Sequence, residues 1–171
     1  DCTGARPGLC PGMAKTERHS TMLLPPDGYV VLLMVGAILL EWLRPLPMLP
    51  PAGWWGPLVP PALGLALAGL ALELAAARAL TNGGASTRPN DAPAALVTNG
   101  VFRWSRNPFY CGILLLMLGV MLAFSLDWGV VLMPLLFLAL DRLVIPVEER
   151  RLESAFGQAY LDYSARTRRW L

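Results

Sequence analysis

The sequence predicts an all-α fold: an integral-membrane bundle of about four transmembrane helices with an amphipathic C-terminal helix on the membrane surface. Three observations carry this reading. Hydrophobic residues make up 55% of the chain and charged residues 15%, with a mean hydropathy of +0.49, whereas soluble domains carry roughly 25% charged residues. Four apolar stretches approach the length that crosses a hydrocarbon core, about 20 residues at 1.5 Å rise each. The basic residues are also segregated. Four crossings put both chain ends and the connection 81–108 on one side. Of the 14 Lys+Arg, all but Arg44 fall on that side or in the helix ends facing it. The positive-inside rule makes that side cytoplasmic.

The elements follow in order. Residues 1–27 read as a disordered, Gly/Pro-rich tail in which Met13 and Met22 are both plausible starts. No small-residue cleavage site follows the first apolar run, so it is not read as a cleaved signal peptide. That first span is "GYVVLLMVGAILLEWL", Gly28 to Leu43, with Trp42 at an interface position. The second is "PLVPPALGLALAGLALELAAARAL", Pro57 to Leu80, and the two together make up 28–80. Trp54, Trp55 and Trp128 fall in the short connections, as an aromatic belt predicts. Residues 81–171 hold a polar loop, a hairpin and the C-terminal helix. The hairpin is "FYCGILLLMLGVMLAFSL", Phe109 to Leu126, followed by "WGVVLMPLLFLALDRLVIP", Trp128 to Pro146, with "SLDWG" as the turn. After Glu149, the residues Leu152, Ala155, Phe156, Ala159, Tyr160 and Tyr163 recur on one helical face and charges occupy the other. The closing "RRWL" reads as a basic, Trp-containing anchor.

Several function classes drop out. The cysteines Cys2, Cys10 and Cys111 form no metal or disulfide framework, and the one histidine, His19, lies in the tail. Histidine-based metal sites and catalytic triads are therefore excluded. A net charge of +2, with no basic patch interleaved with aromatics, gives nucleic acid nothing to bind. Ionisable residues inside spans point instead to internal chemistry. Glu41 and Arg142 are near enough to an end to snorkel, while Glu73 and Asp141 lie deeper and suit polar pairing.

The densest chemistry is "RNPFYCG", Arg106 to Gly112. Pro108 suits the first turn of a helix, where its missing N–H is no loss. The helix N-terminus favours an anion. Arg106 offers a fork for carboxylate or phosphate, Asn107 donates and accepts, and Tyr110 adds a ring and a hydroxyl. Between Gly112 and the pair Glu148–Glu149 lie residues 113–147, enough for two spans of about 26 Å each at helical rise. A tight hairpin of that length returns the glutamates to the same face, beside Arg106. Paired anion and cation sites with aromatic walls suit a cofactor that carries an amino-acid group.

At these residues the sequence resembles the isoprenylcysteine carboxyl methyltransferase family, which includes many bacterial membrane enzymes. The motifs are "LVTNGVF" (Leu96 to Phe102), "RNPFYCG", "EE" (Glu148–Glu149) and "FGQAYLDY" (Phe156 to Tyr163), in order and at family-like spacing. Two positions depart from the family. Asn107 stands where the family has histidine, and Val144, with Arg142 nearby, stands where eukaryotic members have a substrate-binding arginine. The resemblance implies S-adenosylmethionine as cofactor, contacted by Leu96, Val97, Phe102, Asn107, Pro108, Phe109, Tyr110 and Glu148. It also implies a bacterial inner-membrane enzyme with a cytoplasmic site.

The expected reaction is methyl transfer to a small or lipophilic acceptor, with Arg106, Glu148 and Glu149 as catalytic residues and Arg142 and Glu73 toward the acceptor. A carboxylate acceptor needs no base. A thiol or lipid amine needs one, and Tyr110, Glu149 and Glu73 are the candidates. The expected partners are the bilayer and the acceptor, with no obligate protein partner. Two other readings stay open: a nicotinamide-dependent reductase of the sterol-reductase type, for which only Arg88, Arg103 and Arg106 offer phosphate contacts, and a non-catalytic membrane scaffold.

Overall fold

Residues 25–50, 56–85 and 94–171 are described by a computed structural model of the chain. Trp54, Trp55, Arg88 and nearly all of the N-terminal tail lie outside the described residues. Six α-helices follow one another among those described: α1 Pro26–Leu43, α2 Val59–Asn82, α3 Pro108–Ala123, α4 Asp127–Ala139, α5 Ile145–Phe156 and α6 Gln158–Arg166. A 3-10 turn occupies Gly100–Arg103 and a π-helical turn Leu140–Val144. The fold is all-α, as the sequence predicts. Three helices are long and apolar enough to cross a membrane, namely α1, α2 and the continuous run Asp127–Phe156. The fourth expected span, α3, is shorter at 16 residues.

The outward faces are apolar: Leu32, Ile38, Leu39, Leu67 and Leu135 are all exposed. A chain in water would not leave such faces bare, and lipid is the solvent that suits them. Burying Leu against Leu then gains little over lipid, so close backbone approach has to hold the helices together. The α2–α3 seam is built for this. Ala62, Ala66, Gly69, Glu73 and Ala76 recur at alternating steps of four and three on one face of α2, opposite Gly112, Leu116 and Gly119 of α3. A Cβ on Gly69 would meet the backbone of Leu116 and come within 2.6 Å of the Gly112 carbonyl. A Cβ on Gly119 would lie 2.6 Å from the Ala62 carbonyl. On the other flank, Leu33 of α1 packs into a buried cluster with Tyr110, Ile113, Met121, Leu136, Leu140, Val144 and Ile145.

At the far end of the bundle the loop after α1 is tied to the α3–α4 turn. Asp127 is 3% exposed and accepts the amides of Met48 at 3.0 Å and Leu49 at 2.9 Å. Glu41, expected to snorkel, instead accepts the Trp128 amide at the start of α4, at 3.2 Å. Trp128 Nε1 donates to the Arg44 carbonyl at 2.6 Å. In the turn the left-handed position is Ser125, with φ 51°, and Gly129 instead packs inside α4 against Met121.

Two expectations are corrected. The fourth span does not stop at Pro146. Proline has no N–H, and its ring clashes with the carbonyl four residues back in a regular α-helix. The wide turn Leu140–Val144, in which the Ile145 N–H bonds the Leu140 carbonyl five residues back, makes room just before Pro146, so the helix continues to Phe156. Nor is the C-terminal helix a single piece. Gly157, at φ 52° and ψ −125°, sits where L side chains are strained. It separates α5 from α6 and turns Tyr160 and Tyr163 inward, where both are buried.

Candidate active site

Pro108 is fully buried at the first position of α3, which fixes the Arg106–Asn107 corner directly against the helix start. The α3–α4–α5 hairpin returns the glutamates to this corner. Arg106 Nη2 lies 3.2 Å from Glu149 Oε1, both side chains being 17% exposed. Tyr110 Oη donates to Glu148 Oε1 at 2.6 Å, a short charge-assisted bond. The extra residue in the π turn matters here. It rotates everything after it by about 100° relative to an unbroken α-helix, and so sets which way Glu148 and Glu149 face.

The segment Thr167–Leu171 does not extend away as an anchor but folds across the same corner. Thr167 is extended, and Arg168 bridges in parallel to Ser105. Neighbours in an extended chain alternate sides, so Arg168 is exposed and Arg169 points inward. Arg169 grips Glu149 with two contacts, Nη2 to Oε2 at 2.5 Å and Nε to Oε1 at 3.2 Å. Its Nη1 reaches Asp141 Oδ1 at 3.4 Å, which Trp170 Nε1 also bonds at 2.9 Å. Ser105 Oγ and Asn107 Nδ2 donate to the Arg169 carbonyl at 3.0 and 3.1 Å. The hydrogen bonds to Glu149 hold the Arg169 guanidinium above its ordinary pKa, so it is a permanent cation. Arg106 Nε is buried and has no partner among the described residues. A buried donor left in this way is costly, by about 1–3 kcal/mol or more when charged.

An apolar wall adjoins this polar corner. Val97 and Phe102 are buried against Ala76 of α2, with Phe109 packed against both this cluster and the main core. Phe109 and Tyr110 meet edge to face at 6.3 Å. Tyr163 Oη donates to the Phe102 carbonyl at 2.7 Å, tying α6 to the 3-10 turn that carries Phe102.

A profile of the phospholipid methyltransferase family matches residues 60–159. The chain belongs to the phospholipid methyltransferase family. No curated protein and no solved structure matches the chain significantly. The family assignment bears out the membrane-methyltransferase resemblance read from the motifs, and with it an integral-membrane protein of a methyltransferase family. The matched stretch runs from α2 to the start of α6. It contains Arg106, Tyr110, Glu148 and Glu149 and ends before Arg169.

Within this phospholipid methyltransferase-family chain, the residues singled out from sequence fall into three groups. Arg106, Asn107, Pro108, Tyr110, Glu148 and Glu149 converge at the start of α3. Val97, Phe102 and Phe109 form the adjoining wall, with Leu96 half-buried beside Val97. Glu73 and Arg142 lie apart. Glu73 packs in the α2–α3 seam against Gly112, with Oε1 buried and unpartnered among the described residues. The Arg142 side chain is 75% exposed and bonds its neighbour Asp141 at 3.1 Å. Sequence reasoning missed Ser105, Tyr163, Arg169 and Trp170 as parts of this corner. For Arg169 and Trp170 the "RRWL" composition was the signal, and that pattern fits a membrane anchor equally well.

Proposed function

We propose that this protein transfers a methyl group from S-adenosylmethionine to a lipophilic acceptor at the cytoplasmic face of the membrane. The observation that carries the reading is the inward, unpartnered Arg106 Nε beside a pair of carboxylates. A zwitterionic amino-acid end needs a cationic donor for its carboxylate and an anion for its ammonium, and Arg106, which touches Glu149 at 3.2 Å, and the adjacent Glu148 would supply them. Phe102, Phe109 and Val97 offer an apolar and aromatic surface for the nucleoside. The donor set therefore fits the cofactor. Bound there, S-adenosylmethionine supplies an electrophilic methyl group on a sulfonium centre.

The chain's own contribution is binding and alignment, the main catalytic resource where no covalent step is needed. Arg106 orients the carboxylate end through Nε. Glu148, held by Tyr110, would present its carboxylate to the ammonium. Both oxygens of Glu149 are engaged by arginines, so it serves geometry. A phospholipid is the acceptor class that the family's description carries, and the exposed apolar outer faces of the helices put the protein in reach of acceptors dissolved in the bilayer.

The test is a thermal-shift titration of purified full-length protein with S-adenosylhomocysteine and, separately, NADPH. A ligand that binds only the native state raises the midpoint in proportion to its saturation. Stabilisation by S-adenosylhomocysteine alone is expected, with the effect lost in Arg106→Ala and Glu148→Gln. No shift at millimolar S-adenosylhomocysteine would refute the assignment, and a shift with NADPH alone would favour a reductase. Lipid extraction after incubation with methyl-labelled cofactor then identifies the acceptor.

A further inference from the structure

Glu149 has two carboxylate oxygens and two arginines competing for them. Arg169 takes both, with Nη2 2.5 Å from Oε2 and Nε 3.2 Å from Oε1. Arg106 is left with a single contact, Nη2 to Oε1 at 3.2 Å, and its Nε is buried without a partner among the described residues. An arginine beside an unclaimed carboxylate takes the two-bond fork, since the planar guanidinium matches it. Arg106 already touches Oε1 through Nη2, while Arg169 engages both oxygens.

Arg169 is itself held by contacts that do not involve Glu149. Ser105 Oγ and Asn107 Nδ2 fix its carbonyl, and the Arg106 amide fixes the carbonyl of Arg168 at 2.8 Å. Asp141 takes its Nη1, and the next residue, Trp170, is bonded to Asp141 and packed against Phe137, ring centroids 4.8 Å apart and planes tilted by 38°. The grip on Glu149 is thus imposed by the fold of Thr167–Leu171 and is not an incidental surface pair.

We infer that Arg169 is a positioning residue which, by occupying Glu149, keeps Arg106 Nε unpaired and so available to the carboxylate of an incoming ligand. Without Arg169, Glu149 swings both oxygens onto Arg106, the fork closes, and the anion site is lost by self-pairing. The inference rests on the reading above that Arg106 receives the cofactor carboxylate. It adds that a residue outside the matched family region sets whether that arginine is available.

The test uses full-length protein and two probes: S-adenosylhomocysteine, which has the amino-acid end, and methylthioadenosine, the same thioether nucleoside without it. Calorimetry on Arg169→Gln should show affinity for S-adenosylhomocysteine falling at least about tenfold and that for methylthioadenosine changing less than about twofold. Because Arg169 acts through Glu149, the loss should shrink to under about threefold when Arg169→Gln is made in a Glu149→Gln background. Arg169→Lys, which keeps a charge on Asp141 but holds only one carboxylate oxygen, carries the same cycle if Arg169→Gln does not fold. Equal losses for both probes, or equal losses in both backgrounds, would reduce Arg169 to a structural brace and overturn the inference alone. So would unchanged affinity for S-adenosylhomocysteine. If wild type binds S-adenosylhomocysteine but not methylthioadenosine, the cycle on the former decides. Wild type that binds neither nucleoside overturns the cofactor reading, and the role of Arg169 with it.

Discussion

Tyr163 shows how single residues join distant parts of this site. Its hydroxyl is buried and donates to the Phe102 carbonyl at 2.7 Å, so α6 and the 3-10 turn share one hydrogen bond. Burial, with the neighbouring Tyr160 adding to it and Arg106 opposing, pushes the Tyr163 phenol up to about 12 from an ordinary 10.0. A folded-state value above the unfolded one favours the protonated form on folding. The stabilisation is therefore complete below pH 10 and is lost as pH rises toward 12. Tyr163→Phe should cost about 1–3 kcal/mol at neutral pH, the penalty of a buried carbonyl left unpaired. The gap in thermal midpoint between wild type and Tyr163→Phe, measured in detergent, should narrow across pH 10 to 12. A gap that stays constant over that range would show that the hydroxyl titrates elsewhere. The sequence showed Tyr163 as one apolar position on a helical face and as the end of the "FGQAYLDY" motif, but not its partner, because a hydroxyl's partner cannot be read from periodicity. Arg169 was hidden for a similar reason: Arg168 and Arg169 look alike in "RRWL", and only the extended conformation of Thr167 decides which one points inward.

Among the elements, α2 and α3 depend on absent side chains. A Cβ added to Gly112 would lie 2.6 Å from Glu73 Cγ and 2.8 Å from the Gly69 carbonyl, whereas one on Gly36 of α1 meets nothing within 4 Å. Gly112→Leu should therefore force the helices apart and lower stability by about 1–3 kcal/mol or more. Gly36→Leu adds a lipid-facing side chain and should leave the midpoint within the error of the measurement. Thermal unfolding in detergent distinguishes them, and equal effects would mean that α2 and α3 do not approach closely. Separation would also move Glu73, which shares the seam, so Gly112→Leu should disturb the site end as well. The helical nature of these segments and their approximate ends were legible, because apolar length and Pro108 are local signals. The passage of the helix through Pro146 was not legible. It depends on the π turn at Leu140–Val144, whose bonding pattern no residue in "LDRLV" announces.

For the molecule as a whole, the orientation proposed from charge is testable with chemistry applied to one side. In a background with Cys2, Cys10 and Cys111 replaced by serine, an impermeant maleimide applied to sealed right-side-out vesicles should label Arg44→Cys and spare Glu153→Cys, both at exposed positions. The reverse pattern would put the arginine–glutamate corner outside. The sequence alone was enough for the helical membrane class, the segregation of charge, and the meeting of Arg106 with the acidic pair. Each follows from one-dimensional quantities: composition, the spacing of basic residues, and a chain length that allows one crossing out and one back. Tertiary structure decided the rest: which glutamate meets which partner, that Thr167–Leu171 lies over the α3 corner, and that Glu149 is shared between two guanidinium groups. These depend on helix rotation and on contacts between residues up to 64 positions apart, such as Ser105 and Arg169. A one-residue change of helical register turns a side chain by about 100°, and no composition or spacing rule resolves an angle.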